Sequence, residues 1–342
     1  MRVLVIGGTA FTGPHIVRRL HALGHDVAIF NRGKTEADLP AEVIRFTGDC
    51  REIEKHAEVL RGFAPEVALH MALVIPQDAW SALEVFRGVA RRLVAISSMD
   101  VYRAYGRLIG TEPGPLLDVP IREDAPLRLK FYPYREKVPG PDNLMFHYDK
   151  VLIERLLQSE PGLPATIVRY PMVYGPGDRQ HRLFSYLKRM DDGRPAILLS
   201  EEMANWRCNR GFAEDMAHAV VLAVTNERAA GRTYNVAEAG AGSERQWIER
   251  IARGAGWNGR VVAIANDRLP EKLRDDMNTA QSLVADTTAI RSELGYAEVV
   301  DPGEAMRRTI EWERSHPPEP ANPEAFDYAA EDEVLGGEGQ LS

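Results

Sequence analysis

The sequence predicts a doubly wound α/β fold, a parallel sheet with helices on both faces and a smaller lobe toward the C-terminus. Three observations predict it. Short, nearly unbroken apolar runs recur through the first half, stretches with helical spacing lie between several of them, and the first run passes straight into a glycine-rich turn. Strands buried on both faces read as unbroken apolar runs, and strands alternating with helices build parallel sheets.

The candidate strands are 2–6 (RVLVI), 27–30 (VAIF), 43–46 (VIRF), 66–71 (EVALHM), 92–96 (LVAIS) and 165–169 (ATIVR). Helical spacing appears over 14–23 (Ile16, Val17, Leu20, Leu23) and 150–158 (Val151, Leu152, Leu156). Residues 103–145 carry seven prolines and four glycines with little periodicity, so they read as a long irregular insertion. From about 174 the pattern loosens, as suits a smaller lobe. The expected organisation is a sheet domain over 1–173, a lobe over 174–316 from which 212–238 returns to the sheet domain, and a tail over 317–342. The tail opens with Pro317, Pro318 and Pro320, holds no Lys or Arg, and reads as extended.

Composition excludes several classes. No stretch approaches the roughly 20 uncharged apolar residues of a membrane span, and the first residues are too short an apolar run for a signal peptide, so a cytoplasmic protein without membrane contact is expected. Cys50 and Cys208 stand alone, which excludes a disulfide framework, and no Cys/His spacing predicts a metal. The net charge of −8 speaks against a general nucleic-acid surface. Seven acidic residues fall in the tail, however, and residues 1–316 hold 42 basic against 43 acidic side chains, so the body does not repel an anionic ligand. Residues 179–210 hold seven basic against four acidic residues. Arginine forks match phosphate oxygens, and Arg207 and Arg210 are the candidates for an anionic substrate.

The run Gly7-Gly8-Thr9-Ala10-Phe11-Thr12-Gly13 follows the first strand, and Pro14 opens a helix. Glycines allow a tight turn and close approach to a pyrophosphate, which the free N–H groups of the helix N-terminus attract. At the end of the second strand, where a carboxylate would hydrogen-bond an adenosine ribose, the chain reads Asn31-Arg32. An arginine there welcomes a 2′-phosphate, which favours NADP over NAD.

These motifs, with Gly48-Asp49, His70-Met71-Ala72, Ser97-Ser98-Met99-Asp100-Val101-Tyr102, Arg169 to Gly177, Tyr234-Asn235-Val236 and Leu294-Gly295-Tyr296, resemble the NAD-dependent epimerase/dehydratase family of extended short-chain dehydrogenase/reductases. The resemblance spans about residues 1–315. It implies a Rossmann domain holding NAD(P) and a C-terminal lobe holding the substrate, often a nucleotide sugar. By position it implies that Gly7, Gly8, Phe11 and Thr12 touch the pyrophosphate, Asp49 and Cys50 flank the adenine, Met71 and Ala72 line the cofactor channel, and Pro171, Met172 and Val173 lie near the nicotinamide. Ser98 would orient the substrate oxygen.

The family's Tyr-x-x-x-Lys pair is altered. Lys150 is present, but the residue four before it is Phe146, and the nearest phenol, Tyr148, is two positions away. In an ideal helix that spacing turns Tyr148 roughly 200° from Lys150. Either the chain before Lys150 is not regular helix and Tyr148 reaches the site, or Tyr102, Tyr105, Tyr132 or Tyr134 serves, or no tyrosine does. Asp100 stands where dehydratases of the family carry a glutamate, but Met99 replaces the acid before it, which speaks against dehydration. The expected function is an NAD(P)-dependent oxidoreductase or epimerase acting by hydride transfer on a nucleotide-sugar-like or other anionic hydroxyl or carbonyl compound. Ser98, Tyr148 and Lys150 form its expected catalytic set, and a homodimer is expected from the family. The alternative is a catalytically silent cofactor-binding or RNA-binding relative.

Overall fold

Alternation along β1 (Arg2–Ile6) sets the layers: Val3 and Val5 enter one apolar core and Leu4 and Ile6 the other, all fully buried. A computed structural model describes residues 1–319 and 326–338. After β1 come α1 (Gly13–Ala22), β2 (Asp26–Asn31), β3 (Ile44–Thr47), α2 (Ala57–Gly62), β4 (Val67–His70), α3 (Pro76–Phe86), β5 (Arg92–Ser98), α4 (Arg103–Leu108), α5 (Lys150–Gln158) and β6 (Ala165–Tyr170). The second half adds β7 (Met172–Tyr174), α6 (Phe184–Asp191), β8 (Ala196–Ser200), α7 (Glu201–Asn205), β9 (Arg210–Phe212), α8 (Ala213–Thr225), β10 (Thr233–Asn235), α9 (Glu244–Ala255), β11 (Arg260–Ile264), α10 (Thr288–Leu294), α11 (Pro302–Ser315) and α12 (Tyr328–Glu338).

Seven parallel strands form one sheet in the order β10-β6-β5-β4-β1-β2-β3. Chain order reverses at β1, so the carboxyl ends of β1 and β4 splay apart and open the crevice where such sheets bind ligands. Helices α1 and α8 cover one face through Ile16, Val17, Leu20, Met216 and Val220; α3 and α5 cover the other through Leu83, Phe86, Ile153 and Leu157. Burial on both faces is the reason the strands lack polar alternation.

The C-terminal lobe packs α9 (Trp247, Ile248, Ile251) against α6 (Leu187, Met190) and α11 (Met306, Ile310). Two short parallel pairs, β8 with β11 and β7 with β9, brace it. Ser243 and Gln246 cap α9 reciprocally, and Gly256 ends it at φ +71°.

The expectation of an extended tail is corrected over residues 326–338. There α12 docks on the lobe: the buried Glu331 accepts from Arg189, Asp332 pairs with Arg194, and Val334 and Leu335 join Leu269 in an apolar cluster. Ion pairing to arginines more than 130 residues away supplies what the local sequence lacks. Tail residues 320–325 and 339–342 lie outside the described residues.

Candidate functional site

Loop geometry explains the glycine run. Gly7 and Gly8 sit at φ +104° and +86°, where side chains are strained, and a Cβ on Gly13 would lie 2.6 Å from the carbonyl carbon of Gly8. The glycines thus permit the turn and let α1 start against it. The turn floors a cleft of about 480 Å³, within the range of small-molecule sites. Its walls include Gly7, Gly8, Thr9, Phe11, Thr12, Asn31, Arg32, Asp49, Cys50, Met71 and Ala72, all expected from the sequence. Burial and the neighbouring Asp78 push the Cys50 thiol up, so it lines the wall as a neutral group. Gly13, Ser98, Tyr148, Lys150, Pro171, Met172 and Val173 are not among the wall residues, but Tyr170, beside Pro171, is, and Lys150 donates to the carbonyl of the wall residue Ile96 and to that of Leu73.

Sequence reasoning missed four wall residues at the adenosine end: Lys34, Thr35, Arg51 and Arg179. Arg179 comes from the loop after β7 and crosses the cleft, its Nη2 3.5 Å from Thr35 Oγ1. Asp178, 2% exposed, stiffens that loop by accepting from the Gln180 and Arg182 backbones and the Arg182 guanidinium. Among the described residues no carboxylate pairs with Arg32, Lys34, Arg51 or Arg179, whereas arginines such as Arg169, Arg182, Arg189, Arg194, Arg210 and Arg250 each have such a partner. Four unneutralised cations form a ready anion site.

At the other end of the cleft, Asp149 N-caps α5, accepting from the Val151 and Leu152 backbones at 2.9 and 3.2 Å, and its second oxygen accepts from Tyr132 N at 2.6 Å. The helix therefore begins at Lys150, and Tyr148 stands outside it with extended backbone (φ −63°, ψ 123°). Free of helical geometry, its hydroxyl reaches Asp100 Oδ2 at 2.7 Å with Ser98 close enough to act on it electrostatically, while Lys150 Nζ lies 6.0 Å from its ring centroid. The structure thus brings Ser98, Tyr148 and Lys150 together. Of the other phenols, Tyr102 is buried between Asn235 and Arg169, and Tyr132 lies beneath Arg135. Tyr134 donates to Asp100 at 3.0 Å and receives Tyr105 at 2.9 Å.

Burial dominates the electrostatics here. It lowers Lys150 to about 8 against the pull of Asp100, Glu154 and Asp78, and it raises Asp100. Tyr148 is held well above the ordinary phenol value by burial and then by the Asp100 carboxylate. His70, beneath the cleft, is pushed down to about 3 by burial and Lys150 and is neutral.

Arg207 and Arg210 line a second cavity of about 440 Å³ in the lobe, with Glu238, Gln246, Trp247, Arg250 and Arg253. Arg210 stacks on Trp247 and pairs with Glu244, and Arg250 pairs with Glu238. The exposed Arg207 side chain donates, among the described residues, to the Ala241 carbonyl alone. Of the seven basic residues over 179–210, Arg189, Arg194 and Arg210 pair with carboxylates distant in sequence, and Arg182 and Lys188 with carboxylates four residues away. No metal-binding cluster exists among the described residues, and none of their helices is long and apolar enough to cross a membrane.

A glycine cradle at a topological switch point, facing a Ser–Tyr–Lys group, defines a dinucleotide-binding enzyme of the Rossmann class. The chain belongs to the NAD dependent epimerase/dehydratase family, whose model matches residues 3–112 and 126–237. It is 25% identical to 2′-dehydrokanamycin reductase of Streptomyces kanamyceticus over 80% of this chain and 72% of the relative. To UDP-glucose 4-epimerase of Azospirillum brasilense it is 24% identical over 92% of each chain. The solved UDP-glucose 4-epimerase of Thermus thermophilus in complex with NAD superposes with a TM-score of 0.63 at 23% identity, covering 92% of this chain and 99% of that one. The protein is therefore an NAD-dependent epimerase/dehydratase or reductase.

Proposed function

We propose that the protein is an NADP-linked oxidoreductase that interconverts a hydroxyl and a carbonyl on an anionic, sugar-like substrate. The convergence of Tyr148, Ser98 and Lys150 beside the cleft carries this reading. The glycine cradle and the cleft volume fit a dinucleotide, whose nicotinamide supplies hydride acceptance and donation when bound. Gly7, Gly8, Phe11, Thr12 and Gly13 hold the pyrophosphate; Asn31, Arg32 and the newly found Lys34, Arg51 and Arg179 face the adenosine phosphate; Asp49, Cys50, Met71 and Ala72 flank the base and channel. Ser98 orients the substrate oxygen, and Tyr148 takes or returns its proton. Lys150, Pro171, Met172 and Val173 border the reacting end. Arg207 and Arg253, neither with a carboxylate partner among the described residues, supply positive charge for the substrate's anionic part. Arg210 holds the wall of that cavity through Glu244.

Fluorescence titration with NADPH and NADH tests the cofactor side. NADPH is expected to bind at least about tenfold more tightly, a difference of about 1.4 kcal/mol. Equal affinities overturn the 2′-phosphate assignment, and binding of neither overturns the reading. Absorbance assays with NADP⁺ and nucleoside-diphosphate sugars test the substrate side, with uncharged sugars as the opposing arm.

A further inference from the structure

Tyr148 poses a chemical problem. A short-chain enzyme's tyrosine serves as a base when a nearby ammonium makes its phenolate accessible near neutral pH. Here the phenol hydroxyl points at a carboxylate instead, with Tyr148 Oη 2.7 Å from Asp100 Oδ2. Lys150 directs its ammonium into the carbonyls of Leu73 and Ile96. A hydroxyl that donates to a carboxylate holds its proton, because ionisation would set two anions side by side.

We propose that Asp100 is the proton acceptor behind Tyr148, so that Tyr148 passes a proton between substrate and carboxylate and never stands alone as a phenolate. This rests on the oxidoreductase reading above. In the oxidising direction the substrate O–H bond breaks as its proton joins Tyr148 Oη, while Tyr148's own proton moves to Asp100 Oδ2. A bound oxidised nicotinamide would supply the acceptor for the hydride that the carbinol carbon gives up as its carbonyl forms, and Asp100 would end as a carboxylic acid. Reduction runs the same transfers backward. Charge balances at each end: one carboxylate is neutralised as one dinucleotide is reduced.

Several contacts suit Asp100 to this. It is 7% exposed, so solvent does not level its basicity, and its Oδ1 meets no protein donor among the described residues. Tyr134 donates to the same Oδ2 at 3.0 Å and receives Tyr105, which fixes the carboxylate's orientation. Burial raises the Asp100 carboxyl, and charged neighbours oppose that rise. Arg128, fully buried in the insertion, donates to the Asp100 carbonyl at 2.5 Å, and Lys150 faces it from α5. Asp149, 3.7 Å from Arg128 Nη2, partly offsets that arginine. Asp100 is raised but opposed by these cations, which places it closer to its partner than an exposed carboxylate would be.

The test needs no substrate. Tyrosinate absorbance is titrated against pH in the wild type and in Tyr148→Phe, the difference isolating Tyr148, and then in Asp100→Asn and Asp100→Glu. The wild type is expected to show no Tyr148 ionisation below about pH 10, the ordinary phenol value. Asp100→Asn should lower that transition by about one pH unit or more, and Asp100→Glu should restore it. Ionisation at or below about pH 8 in the wild type, or no movement in Asp100→Asn, overturns the proposal. NADPH binding by Asp100→Asn checks that this variant folds. Loss of NADPH binding in the wild type sinks the oxidoreductase reading, whereas intact binding with an unmoved titration sinks the relay alone.

Discussion

The two ends of the cofactor cleft hold charge in opposite ways. At the adenosine end Arg32, Lys34, Arg51 and Arg179 are exposed and, among the described residues, have no carboxylate partner. At the reacting end Asp100, Arg128 and Lys150 are buried, each tied into hydrogen bonds from separate segments. Exposed cations attract an anion through a screened field and keep ordinary protonation. Buried groups exchange that reach for control, since low dielectric lets one neighbour move a pKa by units. On the proposed function, one end captures the cofactor and the other moves protons.

The sharpest separation of the two ends comes from Tyr148→Phe. Turnover should fall about 10²- to 10⁴-fold while NADPH affinity stays within about twofold, measured by steady-state kinetics and fluorescence titration. An equal loss of both would merge the two ends. The converse variant, Arg32→Ala with Arg179→Ala, should weaken NADPH about 10- to 100-fold and leave NADH nearly unchanged, because only the 2′-phosphate loses its charge-assisted partners.

A stability measurement probes the buried end alone. Lys150 ionises near 8 in the folded protein against 10.5 when unfolded, so between these values the unfolded chain binds more protons and stability rises with pH. Thermal unfolding of the wild type should gain about 1–3 kcal/mol from pH 8 to pH 10 relative to Lys150→Met, which lacks this titration. Parallel curves for the two proteins would place Lys150 in a wetter site. The smallest effect belongs to the exposed end. Raising salt from about 0.05 to 0.5 M should weaken NADPH binding several-fold, as the Debye length falls below the spacing of the loops, and leave the Tyr148 titration in place.

Legibility followed the range of the interactions. Gly7, Gly8 and Gly13 were readable because backbone turns are local, and the strands because burial on both faces leaves a run of Val, Ile and Leu. Tyr148 was readable as a problem but not as an answer: its reach depends on Asp149 ending the irregular insertion as an N-cap. That residue type before Lys150 was a usable signal. Arg179 carried no such signal, since it meets Thr35 across 144 residues. The tail reads as extended from its sequence for the same reason: Arg189, the partner of Glu331, lies 142 residues away.

The sequence by itself determined the parallel sheet, the phosphate cradle, the family and the residue types of the reacting group, because each follows from periodicity or from a contiguous motif. The tertiary structure alone decided which cations remain unpaired, which way Tyr148 points and that its partner is Asp100. Charge pairing and proton transfer depend on distances of a few ångströms between segments far apart in the chain, and those distances exist only once the cores have packed.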